Sequence, residues 1–121
     1  MWEIDVYETA DGRNPTKEHL KEVATLLGKK HLAKALQDID LLAEHGTALK
    51  WPKTDSLQDG IHELRTQFAG NISRVLFFYV HQKRIVLLNG FIKKTQKTPS
   101  AEMVKARKYR DDWLARKEGH P

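Results

Sequence analysis

The sequence predicts an α+β fold: an antiparallel sheet with an N-terminal helical hairpin on one face and a C-terminal helix, in the order β-α-α-β-β-β-α. Three observations predict it. Apolar residues recur at helical spacing between Asn14 and Gly46, and a new helix pattern begins after Pro99. Alternating or β-branched runs occupy residues 2–8, 61–67, 72–80 and 84–92. The last three runs are joined by links too short for crossovers, so they form an antiparallel meander. With 121 residues, 40% apolar and 31% charged, the chain has material for one core, and residues 1–121 read as a single domain.

Each element has a local cause. Residues 2–8, WEIDVYE, put Trp2, Ile4 and Val6 on one face and Glu3, Asp5 and Tyr7 on the other, a half-buried strand. Asp11-Gly12 marks a turn, and Asn14-Pro15 supplies an N-cap followed by proline at the first helical position. Leu20, Val23, Ala24 and Leu27 repeat at helical spacing until Gly28 ends the helix. A second helix runs from about Lys30 to His45, with Leu32, Leu36, Ile39 and Ala43 on its buried stripe, and Gly46 stops it. Residues 47–60, TALKWPKTDSLQDG, read as a loop with Trp51-Pro52 between Lys50 and Lys53. The three strands of the meander follow, turning at Gly70-Asn71 and at His81-Gln82-Lys83. Thr98-Pro99 then caps a last helix to about Lys117, carrying Val104, Tyr109 and Trp113 among many basic residues.

Composition excludes several classes. No apolar run approaches the ~20 residues of a membrane span, so no membrane partner is expected. The acidic, alternating N-terminus reads as neither signal nor transit peptide, and the expected location is cytoplasmic. There is no cysteine, which removes disulfides, thiolate zinc sites and a cysteine nucleophile. The six histidines are scattered, and His19 with Glu22 is only a pair on one helix face, so no metal site is expected. The net charge is +5, but residues 1–49 hold six Lys and Arg against nine Asp and Glu, and residues 50–121 hold fifteen against seven. Such a basic side attracts polyanions, nucleic acid first and acidic proteins second.

Strand periodicity locates the basic side. Period two sets Ile61, Glu63, Arg65 and Gln67 against His62, Leu64 and Thr66, and the helices require Leu64 to face them. Glu63 and Arg65 then belong to the other face, expected to be a shallow, partly covered surface, with Arg74 on or beside it. In antiparallel register the end of the strand 84–92 returns to the start of the strand carrying Arg74, so Lys93 and Lys94 converge on it. Arg65 arrives from the preceding strand. Four cations at one edge repel one another unless an anion lies between them, and a phosphodiester suits a guanidinium fork flanked by ammonium groups. The plainer alternative is Glu63 pairing with Arg65 or Arg74 across the sheet.

These residues also carry a resemblance. IHELRTQFAGNISRVLFFYV followed by RIVLLNGFIKKTQKTP resembles the RelE/HigB toxin superfamily, in the branch that includes phage-encoded HigB-like toxins. The matching pieces are Glu63-Leu64-Arg65, Arg74-Val75-Leu76-Phe77-Phe78 and Gly90 to Pro99. With the helices on either side, the resemblance covers almost the whole chain. It implies a RelE-like fold and the toxin of a type II toxin–antitoxin pair, with a helix-turn-helix DNA-binding antitoxin, the ribosome and messenger RNA as partners. Such toxins cut messenger RNA in the ribosomal A site, using the RNA's own 2′-hydroxyl as nucleophile, so no metal or other cofactor is implied.

Carried onto this chain, Arg65 and Arg74 clamp the phosphate and its transition state, and Lys93 and Lys94 act as stabilisers or proton donors. Glu63 is a further catalytic candidate on the same face. Lys50, Lys53, Lys97, Lys105 and Lys108 are candidate RNA contacts, with Arg107 and Arg110 beside them on the last helix. Trp51 and Phe91 are candidates to stack on a base. The general base stays unassigned: Ser100–Val104 holds neither tyrosine nor histidine, Tyr109 lies farther on, and His62 falls on the opposite face from Arg65. Two alternatives stay open, a non-catalytic nucleic-acid- or ribosome-binding module and a gyrase-poisoning toxin on the same fold.

Overall fold

A computed structural model describes residues 1–93 and 97–117. Its elements are β1 (Glu3–Val6), α1 (Pro15–Leu27), α2 (Lys29–His45), β2 (Thr54–Ser56), β3 (His62–Phe68), β4 (Asn71–Val80), β5 (Arg84–Lys93) and α3 (Ser100–Lys117). The strands form one sheet in the order β1-β5-β4-β3-β2. The pairs β2–β3, β3–β4 and β4–β5 are antiparallel, as the short links require, while β1 lies parallel to β5.

The α+β class therefore stands, with two corrections to its arrangement. The sheet is mixed rather than wholly antiparallel, because alternation in β1 fixes which residues face inward and says nothing about the direction of its neighbour. A short edge strand, β2, lies inside the stretch read as loop. Thr54-Asp55-Ser56 has no apolar alternation to reveal it, and it exists through pairing with Leu64, Glu63 and His62.

Local signals set the helix ends. Asn14 Oδ1 accepts the backbone N–H of Lys17 at 3.0 Å, and Pro15 opens α1. Gly28, with φ 98°, is the single residue between α1 and α2. Gly46, with φ 53°, closes α2 where a Cβ would collide with the Trp2 indole. The buried stripe of α2 is the expected one only in part: Ala43 is buried and Ile39 packs against the core. Leu36 is exposed, and His31, Ala35, Asp38, Leu42 and Ala43 point inward. Buried partners make the polar residues tolerable there: His31 Nε2 meets Ser73 Oγ at 2.8 Å, and Thr66 Oγ1 donates to Asp38 Oδ2 at 2.8 Å.

Both faces of the sheet carry a core. On the side of α1 and α2, Leu42 packs with Leu64, Val75, Phe77, Ile85 and Leu87, and with Trp2 and Ile4. On the other side, Ile61, Leu76, Phe78, Val86 and Leu88 lie with Tyr7 beneath Met103, Ala106 and Trp113 of α3. The second face is thus covered by α3 more fully than the sequence suggested. β4 is buried on both sides, in keeping with its nearly continuous apolar run.

Candidate functional site

The register aligns the basic residues of three strands. Arg65 of β3 pairs with Arg74 of β4, Arg74 with Phe91 of β5, and Ile72 with Lys93. Glu63, Arg65, Arg74, Phe91 and Lys93 therefore share the α3-side face, as the alternation implied. Two guanidinium groups opposite each other repel, and the sequence meets this with a carboxylate one step along β3. Glu63 Oε2 accepts from Arg74 Nη1, and both side chains are buried. The plainer pairing across the sheet is thus present for Arg74. It is a buried pair, for which losing one partner is far more damaging than for an exposed pair.

Glu63 has a second partner that the sequence did not suggest. Thr98 Oγ1 donates to Glu63 Oε1 at 3.0 Å, so both carboxylate oxygens are engaged. Thr98 reads in sequence as a helix cap, a job that residue type and position both suit. Its link to Glu63 depends on where α3 sits. The bond ties the residue two before α3 to the sheet. Over the ion pair opens a cleft of about 410 Å³, whose rim includes Asp55, Lys97, Thr98, Ser100 and Arg107. The N-terminal turn of α3 thus borders it, and a helix N-terminus favours negative charge.

Arg65 is held differently. Its backbone N–H donates to Lys53 O at 2.8 Å, Nη1 donates to Pro52 O at 3.4 Å, and the guanidinium lies 4.8 Å from the Trp51 ring centroid. The Nε atoms of Arg65 and Arg74 are buried without a hydrogen-bond partner. Lys93 has its pKa lowered, first by burial, then by repulsion from Arg74; Arg65 adds to the effect, and Glu63 and Asp55 partly offset it.

The other candidates are scattered more widely. Lys94 lies outside the described residues. Lys53 is half-buried and its ammonium sits 3.0 Å from Asp38, while Lys50 is exposed beside Trp51. Lys97 is on the cleft rim. Lys105 is exposed, 3.6 Å from Glu102, and lines a groove with Lys93 rather than the cleft; Lys108 is exposed on α3. Phe91 packs against the α3-side core, so only Trp51, 64% exposed, keeps a ring available for stacking. His62 is on the opposite face from Arg65, stacked on Phe77. Among the described residues no group of three or more metal-ligating side chains comes together, and no helix is long and apolar enough to cross a membrane.

No curated protein matches the chain. Residues 25–111, from the end of α1 into α3, match the family described as phage-derived protein Gp49-like (DUF891). That stretch holds β3, β4 and β5 and every candidate side chain named above. The chain therefore belongs to the Gp49-like family of phage-derived proteins, a toxin-like family of type II toxin–antitoxin systems.

Proposed function

We propose that this protein is the toxin of a type II pair and, like the RelE/HigB toxins it resembles, a metal-independent endoribonuclease that cuts messenger RNA on the ribosome. The observation that carries this reading is the gathering of Arg65, Arg74 and Lys93, from three strands, on one face beside the cleft. In the proposed reaction the 2′-hydroxyl oxygen bonds to the neighbouring phosphorus and the bond to the 5′-oxygen breaks. The hydroxyl proton passes to solvent water, and the leaving oxygen gains one. Arg65 and Arg74 hold the phosphate and the charge that builds on its oxygens. Lys93, its pKa lowered by burial and by Arg74, supplies a proton to the leaving oxygen more readily than an ordinary lysine. Lys94 joins this set on the resemblance alone.

Glu63, with both oxygens engaged, serves in this reading to aim Arg74 and fix Thr98. Lys50, Lys53, Lys97, Lys105 and Lys108 provide phosphate contacts that position the RNA. A helix-turn-helix antitoxin neutralises the toxin by covering the basic edge or blocking entry to the A site. The rival reading is a binder that cuts nothing. The engagement of Glu63 favours it, since that carboxylate is not poised to take a proton.

Primer extension on messenger RNA in a reconstituted translation reaction, with and without ribosomes, separates the two. The proposal expects cuts at A-site codons only with ribosomes, reduced at least 100-fold by Arg65→Ala and by Lys94→Ala in folded protein. Intact messenger while the protein binds ribosomes leaves the binder.

A further inference from the structure

Beyond the cleft, across β2, the structure has a second opening of about 340 Å³ whose lining includes Thr47, Lys50, Trp51, Asp55, His62 and Tyr79. Asp55 borders both openings, so they are separated by one three-residue edge strand. The walls of the hollow are aromatic. His62 lies 4.9 Å from Tyr79 in an edge-on contact and is stacked on Phe77, and the Tyr79 hydroxyl donates to Gly46 O at 3.3 Å. Trp51 is the odd member, an indole 64% exposed in a chain that buries Trp113 almost completely.

The exposed indole is not on a loose loop. Lys50 O accepts the backbone N–H of Lys53 at 3.0 Å and of Thr54 at 3.2 Å. Thr54 Oγ1 donates to Leu49 O at 2.7 Å, and Lys53 pairs with Asp38 at 3.0 Å. Arg65 lies over the Trp51 ring and bonds to Pro52 O without lining the hollow, whereas Trp51, 64% exposed, does line it. A fixed aromatic wall with little left to order on binding is what a flat ligand needs. Lys50 and Arg65 give the surroundings positive charge, while Asp55, opposite Glu63 in the register, belongs with the cleft side of β2. Burial lowers the His62 pKa, which leaves a neutral imidazole with one donor and one acceptor.

We infer that this hollow is a nucleobase pocket, in which one base of the bound RNA stacks on Trp51 and meets His62 at its edge. The neighbouring phosphate lies toward Arg65 and the cleft. This inference rests on the RNA reading above and extends it by assigning a base site on the far side of β2.

The test uses the full chain and two probes, adenosine 5′-monophosphate and ribose 5-phosphate, followed by NMR shifts of the His62 and Tyr79 rings. The nucleotide is expected to shift both rings saturably and ribose 5-phosphate to leave them in place. Trp51→Leu is expected to weaken nucleotide binding at least 10-fold, in line with about 1–3 kcal/mol for stacking one base on an aromatic ring. Trp51→Phe keeps the wall and is expected to bind within about 3-fold of wild type, which guards against a variant that simply misfolds. Equal shifts with both probes, or unchanged binding in Trp51→Leu, overturn the pocket and leave the cleft reading intact. Nucleotide binding as expected, alongside intact messenger in the translation reaction, sustains the pocket and sinks the nuclease.

Discussion

At Gly90, in the strand that delivers Lys93, a Cβ would enter the ring of His19 and stand 2.7 Å from the carbonyl oxygen of Arg74. His19 is itself buried on α1, and the carbonyl belongs to the backbone of the central strand, which cannot give way without disturbing its sheet pairing. Gly90→Ala is therefore expected to destabilise by about 1–3 kcal/mol, as a new Cβ forced against backbone does. Gly12→Ala, where a Cβ meets nothing and only the φ of 88° resists, is expected to cost about 1 kcal/mol. Urea unfolding of the two variants checks the difference, and an equal loss would mean that the packing of α1 on β5 is looser than described. The glycine is plain in the sequence beside Phe91 and Ile92. Its cause is not, because the colliding ring comes from a helix about seventy residues earlier, a placement that local pattern does not encode. Glu63 behaves the same way: its face follows from period two, but its partner Thr98 follows only from the docking of α3.

Among the elements, α2 separates what patterning can tell from what it cannot. Its ends were legible through Gly28 and Gly46, and its length through the apolar repeat. Its inward face was legible only at Ile39 and Ala43, because Asp38 and His31 occupy core positions that a hydrophobic pattern assigns to leucine. Asp38 is 1% exposed and gathers Thr66 Oγ1 at 2.8 Å, Lys53 at 3.0 Å and Lys34 at 3.3 Å. It thereby ties α2 to β3 and to the Trp51 loop. Asp38→Ala strands a buried hydroxyl and two ammonium groups. Both lysines keep some access to water, so the loss is expected near 2–3 kcal/mol, below that of a fully buried pair. Asp38→Asn, which retains an acceptor for Thr66, is expected to lose about half as much. A chevron or denaturant series checks the order, and equal losses would show that charge, not the hydrogen bond, holds α2 down. The basic edge, by contrast, was readable because antiparallel register needs only tight turns. Arg65, Arg74 and Lys93 meet whatever the helices do.

For the whole molecule, the consequence of these choices is an interior that holds several imidazoles and resists their protonation. His19 and His31 are buried beneath α1 and α2, and His62 is half-buried across β3. Burial lowers the pKa of all three, and that of His19 falls to about 4, with a smaller push from His31. The sign follows directly. Between the unfolded value of about 6.5 and the folded value, the unfolded chain binds a proton that the folded chain refuses, so stability falls as pH falls. His19 alone contributes a slope of about 1.4 kcal/mol per pH unit, and about 3 kcal/mol across the window from pH 6.5 to 4. The exposed carboxylates of Asp11, Glu18 and Asp112 have their pKa values lowered below the ordinary carboxylate range, so their contribution is lost only at the acid end and does not mimic the effect. Urea midpoints are expected to be level from pH 8 to 7 and to drop steadily from pH 6 to 4.5, with the drop shallower in His19→Gln at matched temperature. A midpoint that holds constant from pH 7 to 5 would mean that imidazolium is accommodated inside, and that the helices cover the sheet less tightly than the packing of His19 on Gly90 requires.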